Sequence, residues 1–244
     1  MPASPNSLFS QPDNLTAKLW RYMDFTKFVS LLHSSSLFFA AANHLGDPFE
    51  GSFTNKNVQI IKEFVEAHPE TETSLVRRLE NAKSIRSKIL VNCWHVNEHE
   101  SAAMWRLYTR SNETVAITTT FDTLQKLLPN EAYLGKVEYI DYENGGAIGY
   151  DSHLLPYIHK RLSYKHEEEV RAIIDTSKEV KGSNNETINA VGRKVKIDLA
   201  ALIDEVYVAP TCPHWFLELV DDITKKYGLH VSVERSSLDN TPMF

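Results

Sequence analysis

The sequence has little cysteine, no long apolar run and no secretory signal. Its 244 residues include two cysteines, Cys93 and Cys212, without a Cys-x-x-Cys spacing, which indicates neither a disulfide framework nor a zinc ribbon. Reduced thiols favour a cytoplasmic protein. No segment approaches the roughly 18 uncharged apolar residues of a membrane span, and the first residues lack the positive and apolar regions of a signal peptide. No membrane partner is therefore expected.

The chain also lacks an excess of positive charge and a glycine-rich phosphate loop. It carries 26 Lys and Arg against 32 Asp and Glu, a formal net charge of -6. Tight, sequence-independent binding to nucleic acid through phosphates is therefore not the default expectation. No glycine-rich turn joins a strand to a helix, so a Rossmann or P-loop fold is poorly supported.

The composition, 42% hydrophobic and 24% charged, is sufficient for a sizeable core. Residues 1–16, rich in Pro, Ser and Asn, are predicted to form a flexible leader, and residues 17–244 a single α+β domain. Sparse apolar spacing predicts an inserted helical segment at about 55–90. Because strands and helices do not alternate regularly, we expect mixed, mostly antiparallel sheets with flanking helices.

Apolar patterning predicts where most elements lie. The predicted strands are 19–23, 37–42, 89–94, 114–119, 136–139, 170–175, 195–198, 206–208 and 230–235. Helices are predicted from residue 24 onward and at about 101–109, 121–128 and 213–227. The polar stretch 178–186 is predicted to form a mobile hairpin loop.

The run Glu167-Glu168-Glu169, which leads into an apolar strand, is the most informative feature. Strand alternation predicts that Glu167, Glu169 and Arg171 share one face while Glu168 takes the inward side. Two carboxylates so close raise each other's pKa unless a cation, a hydroxyl or a substrate compensates them. The run is therefore a candidate site, although it does not name a reaction.

Arg21 lies in the first predicted strand between two aromatic residues, Trp20 and Tyr22. An arginine is costly there unless it pairs with something, and its fixed fork of donors suits a phosphate or a carboxylate. A snorkelling arginine at a sheet edge, or a structural ion pair, remains the alternative.

Three threonines, Thr118, Thr119 and Thr120, close the fourth predicted strand. Threonine has a high strand propensity, which explains the run without any function. Three hydroxyls at a strand end can also order a carboxylate or a ligand amide. The run therefore gains interest only beside the glutamate pair.

A helix starting near Ser101 would carry Ser101, Met104, Trp105 and Tyr108 on one face. Core packing explains such a stripe without a ligand.

His95 and His99 have the i, i+4 spacing of paired metal ligands on a helix. The order His-Val-Asn-Glu-His is not that of the zincin motif, and we predict no metal site. A Cys93–His95 nucleophile pair is possible but poorly placed by strand alternation.

Six ordered motifs together resemble a bacterial family known only as a domain of unknown function, family 2971. The motifs are Leu19-Trp20-Arg21-Tyr22, Leu37-Phe38-Phe39, Asp47-Pro48-Phe49-Glu50, Cys93-Trp94-His95, Glu100-Ser101-Ala102-Ala103-Met104-Trp105 and Glu167-Glu168-Glu169-Val170-Arg171. The end of the chain, 206–210 and 233–237, is similar to that family too. The family name does not establish a chemistry.

A weaker resemblance is to ADP-ribosyltransferases of the arginine type. That family carries an Arg on an early strand, a Ser-Thr-Ser on a middle strand and a Glu-x-Glu before a later strand. Arg21, the run Thr118-Thr119-Thr120 and the run Glu167-Glu168-Glu169 stand in that order here, with Thr in place of both Ser residues. The resemblance implies an ADP-ribosyltransferase-like fold with NAD as substrate.

The same resemblance implies roles for individual side chains. Glu169 would stabilise the positive charge that develops on the ribose, Arg21 would hold the pyrophosphate, and Thr118 would orient Glu169. Glu167 would accept a proton from the target nucleophile or position it. The implied cofactor-binding set is Arg21, Tyr22, Trp105, Tyr108 and Thr119.

Three hypotheses for function follow. The first is an NAD-dependent ADP-ribosyltransferase or NAD glycohydrolase, which the family resemblance connects with toxin or phage-defence biology. The second is a non-catalytic binding or sensor module in which the glutamates and Arg21 form a structural ion network. The third is a hydrolase or nuclease that holds a divalent ion with Asp47, Glu50, Glu167 and Glu169. The acceptor (protein, nucleic acid, small molecule or water) and the oligomeric state stay open.

Overall fold

A single twisted sheet organises the protein in the computed structural model, which describes residues 8–108, 113–179 and 191–243, with the backbone alone at 74–79. Strands β1 to β5 are Lys18–Asp24, Ser36–Ala41, Ile89–Val96, Thr114–Thr120 and Ala132–Lys136, and β6 to β11 are Glu138–Ile140, His159–Arg161, Glu169–Asp175, Gly192–Lys196, Glu205–Val208 and Ser232–Arg235. Helices α1 to α8 are Phe25–Ser34, Asn55–Ala67, Glu72–Ile85, Ala102–Tyr108, Phe121–Leu127, Leu155–Ile158, Leu199–Leu202 and His214–Lys226. A 3₁₀ helix, Leu162–Glu167, precedes β8.

Nine of these strands form one mostly antiparallel sheet within the described ranges. Seven of them run in the order β11-β10-β4-β1-β3-β2-β9, and β8 and β5 extend the sheet from the other edge of β3. The pair β10–β11 is parallel, as are β6 and β7, which pair separately. The α+β prediction with mostly antiparallel strands and flanking helices is confirmed.

Strand β3 is the centre of the sheet because three other strands pair with it. On one edge β8 pairs along its whole length, from Ile89↔Asp175 to His95↔Glu169. On the other edge β1 pairs only with residues 95–96 and β2 only with residues 90–91. We call the stretch between them, Asn92 to Trp94, the split edge, since neither strand pairs with it.

Helices α2 and α3 form the helical segment predicted at about 55–90. Helix α2 begins at a capping box, in which the Thr54 hydroxyl accepts from Asn57 N and the Asn57 side chain accepts from Thr54 N. Three apolar side chains of α2, Val58, Ile60 and Phe64, are exposed. The segment therefore lies beside the sheet and contributes little to the main core.

Two predicted segments fall partly outside the described residues. Residues 1–7 of the predicted leader lie there, so its flexibility stays a prediction for them. Residues 8–16 follow the sheet, with Phe9 only 2% exposed and Ser10 O accepting from Lys136 N. Most of the predicted hairpin loop, 180–186, also lies outside the described residues.

Over the described part of the chain, helices are too short or too polar to cross a membrane.

Gly51 lies in the loop that carries Glu50, and it packs against the ring of Tyr157. Its φ is +73°, and a Cβ added there would collide with the Tyr157 ring. Gly228 also has a positive φ, +80°, but open space around it. We expect Gly228→Ala to lose about 1–2 kcal/mol of unfolding free energy from backbone strain alone. Gly51→Ala should lose more, because it adds the collision.

Urea unfolding of the two variants checks this expectation. An equal loss for both would contradict the role given to the Gly51–Tyr157 contact.

Candidate functional site

The two predicted site glutamates converge, but not through strand alternation. Strand β8 begins only at Glu169, whereas Glu167 ends the 3₁₀ helix that precedes it. Glu168 between them has a left-handed φ of 37° and is exposed, so the prediction that it faces inward is wrong. This single left-handed residue turns the chain and brings the carboxylates of its two neighbours together.

Arg171 holds two carboxylates at once. Its Nη1 and Nη2 donate to the two oxygens of Glu50 at 2.6 and 2.8 Å, and its Nε donates to Glu169 Oε2 at 2.8 Å. Nη1 also donates to Tyr157 O at 2.8 Å. The guanidinium is 1% exposed, so these charge-assisted bonds compensate its loss of water.

Lys160 adds a second cation to the same cluster. Its Nζ lies 2.6 Å from Glu167 Oε2, 3.5 Å from Glu169 Oε1 and 3.6 Å from Glu50 Oε1. Lys160 is 6% exposed. We call Glu50, Lys160, Glu167, Glu169 and Arg171 the glutamate network; it contains three carboxylates and two cations.

Because the network has more carboxylates than cations, the two glutamates of the predicted pair have different pKa values. Burial opposes ionisation of Glu169, but Arg171 and Lys160 outweigh it and hold the pKa of Glu169 below its ordinary value. Burial, and then the charge of Glu169, raise the pKa of Glu167 to about 7. One carboxyl is thus a fixed anion, and the other gains or loses its proton near neutrality.

Arg21 lies at the split edge, on the other side of β3 from the strand that carries Glu169. Its guanidinium lies over the Trp94 ring at 5.7 Å, and Nη2 makes one long hydrogen bond, 3.4 Å, to Phe38 O. Nη1 is shielded from solvent and has no hydrogen-bond partner in the part of the chain that the structure describes. Burial lowers the pKa of Arg21 to about 10.

Cys93 and Tyr108 lie between Arg21 and the glutamate network. Both act on the pKa of Arg21, opposing the effect of burial. Burial, and then Glu169, raise the pKa of Cys93 to about 12, while burial, and then Glu167 and Glu169, raise the pKa of Tyr108. Cys93 also pairs in register with Arg171, which places both side chains on one face of the sheet. We call the part of the site around Cys93 and Tyr108 the Cys93–Tyr108 region; Tyr108 is 40% exposed.

The structure does not bring the threonine run to the glutamates. Thr118 lies on β4, three strands from β8, and its hydroxyl makes a 3.5 Å contact with Glu205 O. Neighbouring strands are about 4.8 Å apart, so the predicted contact with Glu169 is not made. Thr119 is fully buried, and its hydroxyl has no hydrogen-bond partner among the described residues.

Two of the predicted aromatic contacts belong to the core. Tyr22 and Trp105 pack edge to face, with ring centroids 4.9 Å apart, and both are buried. Tyr22 Oη accepts from Ser101 N, and Trp105 Nε1 donates to Glu100 Oε2. Both rings are packed against protein side chains, and their role in cofactor binding stays a prediction. Of the other predicted cofactor-binding residues, Arg21 and Tyr108 interact at the Cys93–Tyr108 region.

His95 and Asp47 have structural partners. His95 lies in strand β3, one residue before its end, and not on a helix; its Nδ1 lies 2.6 Å from Glu167 O and fixes the residue before the left-handed turn. Asp47 accepts from Arg161 Nε and Nη2 at 3.0 and 2.8 Å. Three of the four acids proposed for a divalent ion lie close together, namely Glu50, Glu167 and Glu169. Lys160 and Arg171 already form ion pairs with them. Within the described ranges no group of three His, Cys, Asp or Glu side chains is arranged to hold a metal.

Sequence reasoning missed Lys160 and Tyr139 in this site. Tyr139 lies on the short strand β6, and its hydroxyl accepts from Glu169 N at 2.9 Å. Lys160 lies in a charged trio, His159-Lys160-Arg161, that lacks any strand pattern. The one available signal was charge balance, since a buried carboxylate pair requires more than one cation.

The raised pKa of Glu167 predicts how stability changes with pH. In the folded protein the Glu167 carboxyl has a pKa of about 7, whereas its ordinary pKa is 4.5. Between these two pH values the unfolded chain releases the proton and the folded protein keeps it, so the free energy of unfolding falls as pH rises. Glu167→Gln removes the group, and its unfolding free energy relative to wild type should rise from pH 5 to pH 8. Glu168→Gln, at the exposed neighbour, should show no such change.

Urea unfolding at the two pH values measures both differences. A Glu167→Gln difference that is the same at pH 5 and pH 8 would contradict the raised pKa.

Comparison with known proteins gives a structural likeness alone. No protein-family model and no curated protein matches the chain, so the resemblance to family 2971 stays a prediction. DarT from Thermus sp. 2.9 in complex with NAD+ has a TM-score of 0.43 and 7% identity, covering 95% of this chain and 100% of DarT. The complex with carba-NAD+ has a TM-score of 0.41 and 8% identity, covering 94% and 100%. The likeness concerns the course of the chain, and the roles of individual side chains depend on their own contacts.

Proposed function

We propose that this protein consumes NAD, as an ADP-ribosyltransferase or an NAD glycohydrolase. One observation carries the proposal: a half-buried arginine without a carboxylate partner among the described residues and a glutamate with a lowered pKa both interact with the Cys93–Tyr108 region. Arg21 supplies the first and Glu169 the second. A dinucleotide substrate presents phosphates to one and a ribose to the other.

The environment of Arg21 supports binding of an anion. Its guanidinium has lost water, as its lowered pKa indicates, and within the described residues it forms no ion pair that would offset this cost. A pyrophosphate would supply oxygen acceptors to the unsatisfied Nη1 in the forked geometry that guanidinium groups favour. The unsatisfied Nη1 of Arg21 is therefore what we expect of a pyrophosphate-binding arginine in the absence of its ligand.

Glu169 would stabilise the reacting ribose. In the proposed reaction the bond between ribose C1′ and the nicotinamide nitrogen breaks, and its electron pair leaves with nicotinamide. Positive charge then develops on the ribose, which a nearby fixed carboxylate stabilises. Arg171 keeps Glu169 ionised and in place, with Nε at 2.8 Å.

Glu167 would act on the acceptor. The acceptor's lone pair forms the new bond to C1′, and its proton goes to the Glu167 carboxylate. A carboxyl with a pKa of about 7 is well matched to this task near neutral pH. With water as the acceptor the product is ADP-ribose; with another nucleophile it is an ADP-ribosyl adduct.

The burial of Glu169 favours the competing hypothesis of a non-catalytic module. Glu169 is 4% exposed and its charge is already paired, as in a structural ion network. On that hypothesis Glu169 and Arg21 matter for stability and NAD is not consumed. A role in toxin action or phage defence, and the identity of the acceptor, belong to the proposal and await their own tests.

We expect Glu169→Gln to abolish nicotinamide release from NAD, because the amide cannot stabilise positive charge on the ribose. Chromatographic measurement of nicotinamide after incubation with NAD reads this directly. Glu168→Gln, at the exposed neighbour, is the matched control and should keep wild-type turnover. Equal release by wild type and Glu169→Gln, or no release by wild type, would overturn the proposed function.

Arg21 gives an independent prediction about binding. Arg21→Met removes the charge, and Arg21→Lys keeps it without the fork. We expect KM for NAD to rise about tenfold or more in Arg21→Met and less in Arg21→Lys, since one charge-assisted hydrogen bond contributes about 1.5–3 kcal/mol. Steady-state kinetics measures both, and an unchanged KM in Arg21→Met would remove Arg21 from the site.

A further inference from the structure

Lys160 is the one cation, among the described residues, that forms an ion pair with Glu167. Its Nζ lies 2.6 Å from Glu167 Oε2, and this is the shortest of its three carboxylate contacts. Arg171 has its Nε, Nη1 and Nη2 engaged with Glu50, Glu169 and Tyr157 O. The two cations therefore divide the carboxylates: Arg171 holds Glu50 and Glu169, and Lys160 holds Glu167.

The position of Lys160 is fixed by more than its charge. It lies in the middle of strand β7, which pairs in parallel with β6, and its side chain is 6% exposed. The ammonium lies 4.7 Å from the centre of the Tyr164 ring, a cation–π contact additional to its carboxylate contacts. A lysine held in this way cannot move freely to a different partner.

The charged and titratable groups around Lys160 and Glu167 come from five elements. They are Glu50, Glu169, Arg171, Tyr108, Tyr139 and Tyr164. Three of them are tyrosines, and burial raises the pKa of two of these, Tyr108 and Tyr139. The balance at Glu167 therefore depends on Glu50 and Glu169 against Arg171 and Lys160, and Lys160 is the closest of these charges.

We propose that Lys160 is a positioning residue that assigns different roles to the two glutamates of the pair. Arg171, which donates to Glu169 at 2.8 Å, is the larger of the two influences that keep Glu169 ionised. Lys160 keeps Glu167 within reach of losing its proton near neutral pH, so that Glu167 serves as the group that accepts the acceptor's proton. This inference rests on the proposed function and adds the residue that sets its pH dependence.

The proton balance of the step is simple. Below the pKa of Glu167 its carboxyl already carries a proton and cannot take another from the acceptor. Above that pKa the carboxylate takes the acceptor's proton as the new bond to C1′ forms, and later returns it to solvent. Turnover should therefore rise with pH through about 7 in the wild-type protein.

The pH profile of kcat/KM for NAD tests the inference in three variants. Lys160→Gln keeps a hydrogen-bond donor without the charge, and we expect the rise in activity to move to higher pH by about 1 unit or more, as for loss of an opposite charge within about 4–6 Å. Lys160→Arg keeps the charge and should move the rise less. Lys165→Gln, at an exposed lysine of the same 3₁₀ helix as Glu167, should leave the profile unchanged.

A carbon-13 NMR titration of the Glu167 carboxyl, in wild type and Lys160→Gln, reads the same effect without substrate. If wild type releases no nicotinamide, the proposed function fails, and the titration still shows whether Lys160 controls the ionisation of Glu167. If wild type is active but Lys160→Gln only lowers the melting temperature, with an unmoved profile and an unmoved titration, the inference is overturned and the proposed function stands. If Lys160→Gln does not fold, the pH profile and the Glu167 titration of Lys160→Arg are compared with those of wild type. A small shift in both supports the inference, and no shift in either overturns it.

Discussion

Three buried carboxylates share two buried cations, and the rest of the site depends on this inequality. If all five groups were charged, the network would keep one negative charge away from water, which is costly in a low-dielectric interior. This cost is reduced because one carboxyl, Glu167, keeps its proton up to near-neutral pH. Glu169 then remains an anion next to Arg171. A single charge imbalance thus gives two chemically different glutamates two positions apart.

The network also connects distant parts of the chain. Glu50 comes from the loop before α2, Lys160 from β7, and Glu169 and Arg171 from β8. The ion pairs of Glu50 with Lys160 and Arg171 therefore close long loops of sequence, whereas Glu167–Lys160 and Glu169–Arg171 are local pairs. Tyr157 adds a link without charge, since its carbonyl accepts from Arg171 while its ring packs against Gly51. The loop that carries Glu50 is consequently fixed on two sides.

The sequence predicts the strands well because their apolar alternation is local information. Strands β1, β3, β4 and β8 lie within a few residues of where their patterns place them. The sequence also singles out Glu169 and Arg21 as candidates, since a charged residue beside aromatic or apolar strand residues is unusual. The contacts of Thr118 and Lys160 could not be predicted in this way. They depend on strand order and on the packing of β7, which no local pattern encodes.

The left-handed turn at Glu168 shows a different kind of limit. Alternation along a strand does place Glu167 and Glu169 on one side, but the structure achieves this with a 3₁₀ helix and a residue of positive φ. The predicted convergence was correct for a reason that the pattern did not contain. Aromatic residues show the reverse case: Met104 and Trp105 on α4 are packed in the core, and only Tyr108 at the end of the stripe is exposed and interacts with the charges of the glutamate network.

The split edge of β3 has a consequence for how this site can change. Strands β1 and β2 leave the same edge at different points, and the gap between them is where the Arg21 guanidinium lies. A slip of β1 by one residue against β3 would turn every β1 side chain to the opposite face. An aromatic ring would then occupy the position of the Arg21 guanidinium, and the guanidinium would point into the core. The register that packs Leu19 and Trp20 is thus the same constraint that keeps a cation in the gap, so a mutation that loosens the core at β1 would also displace the guanidinium.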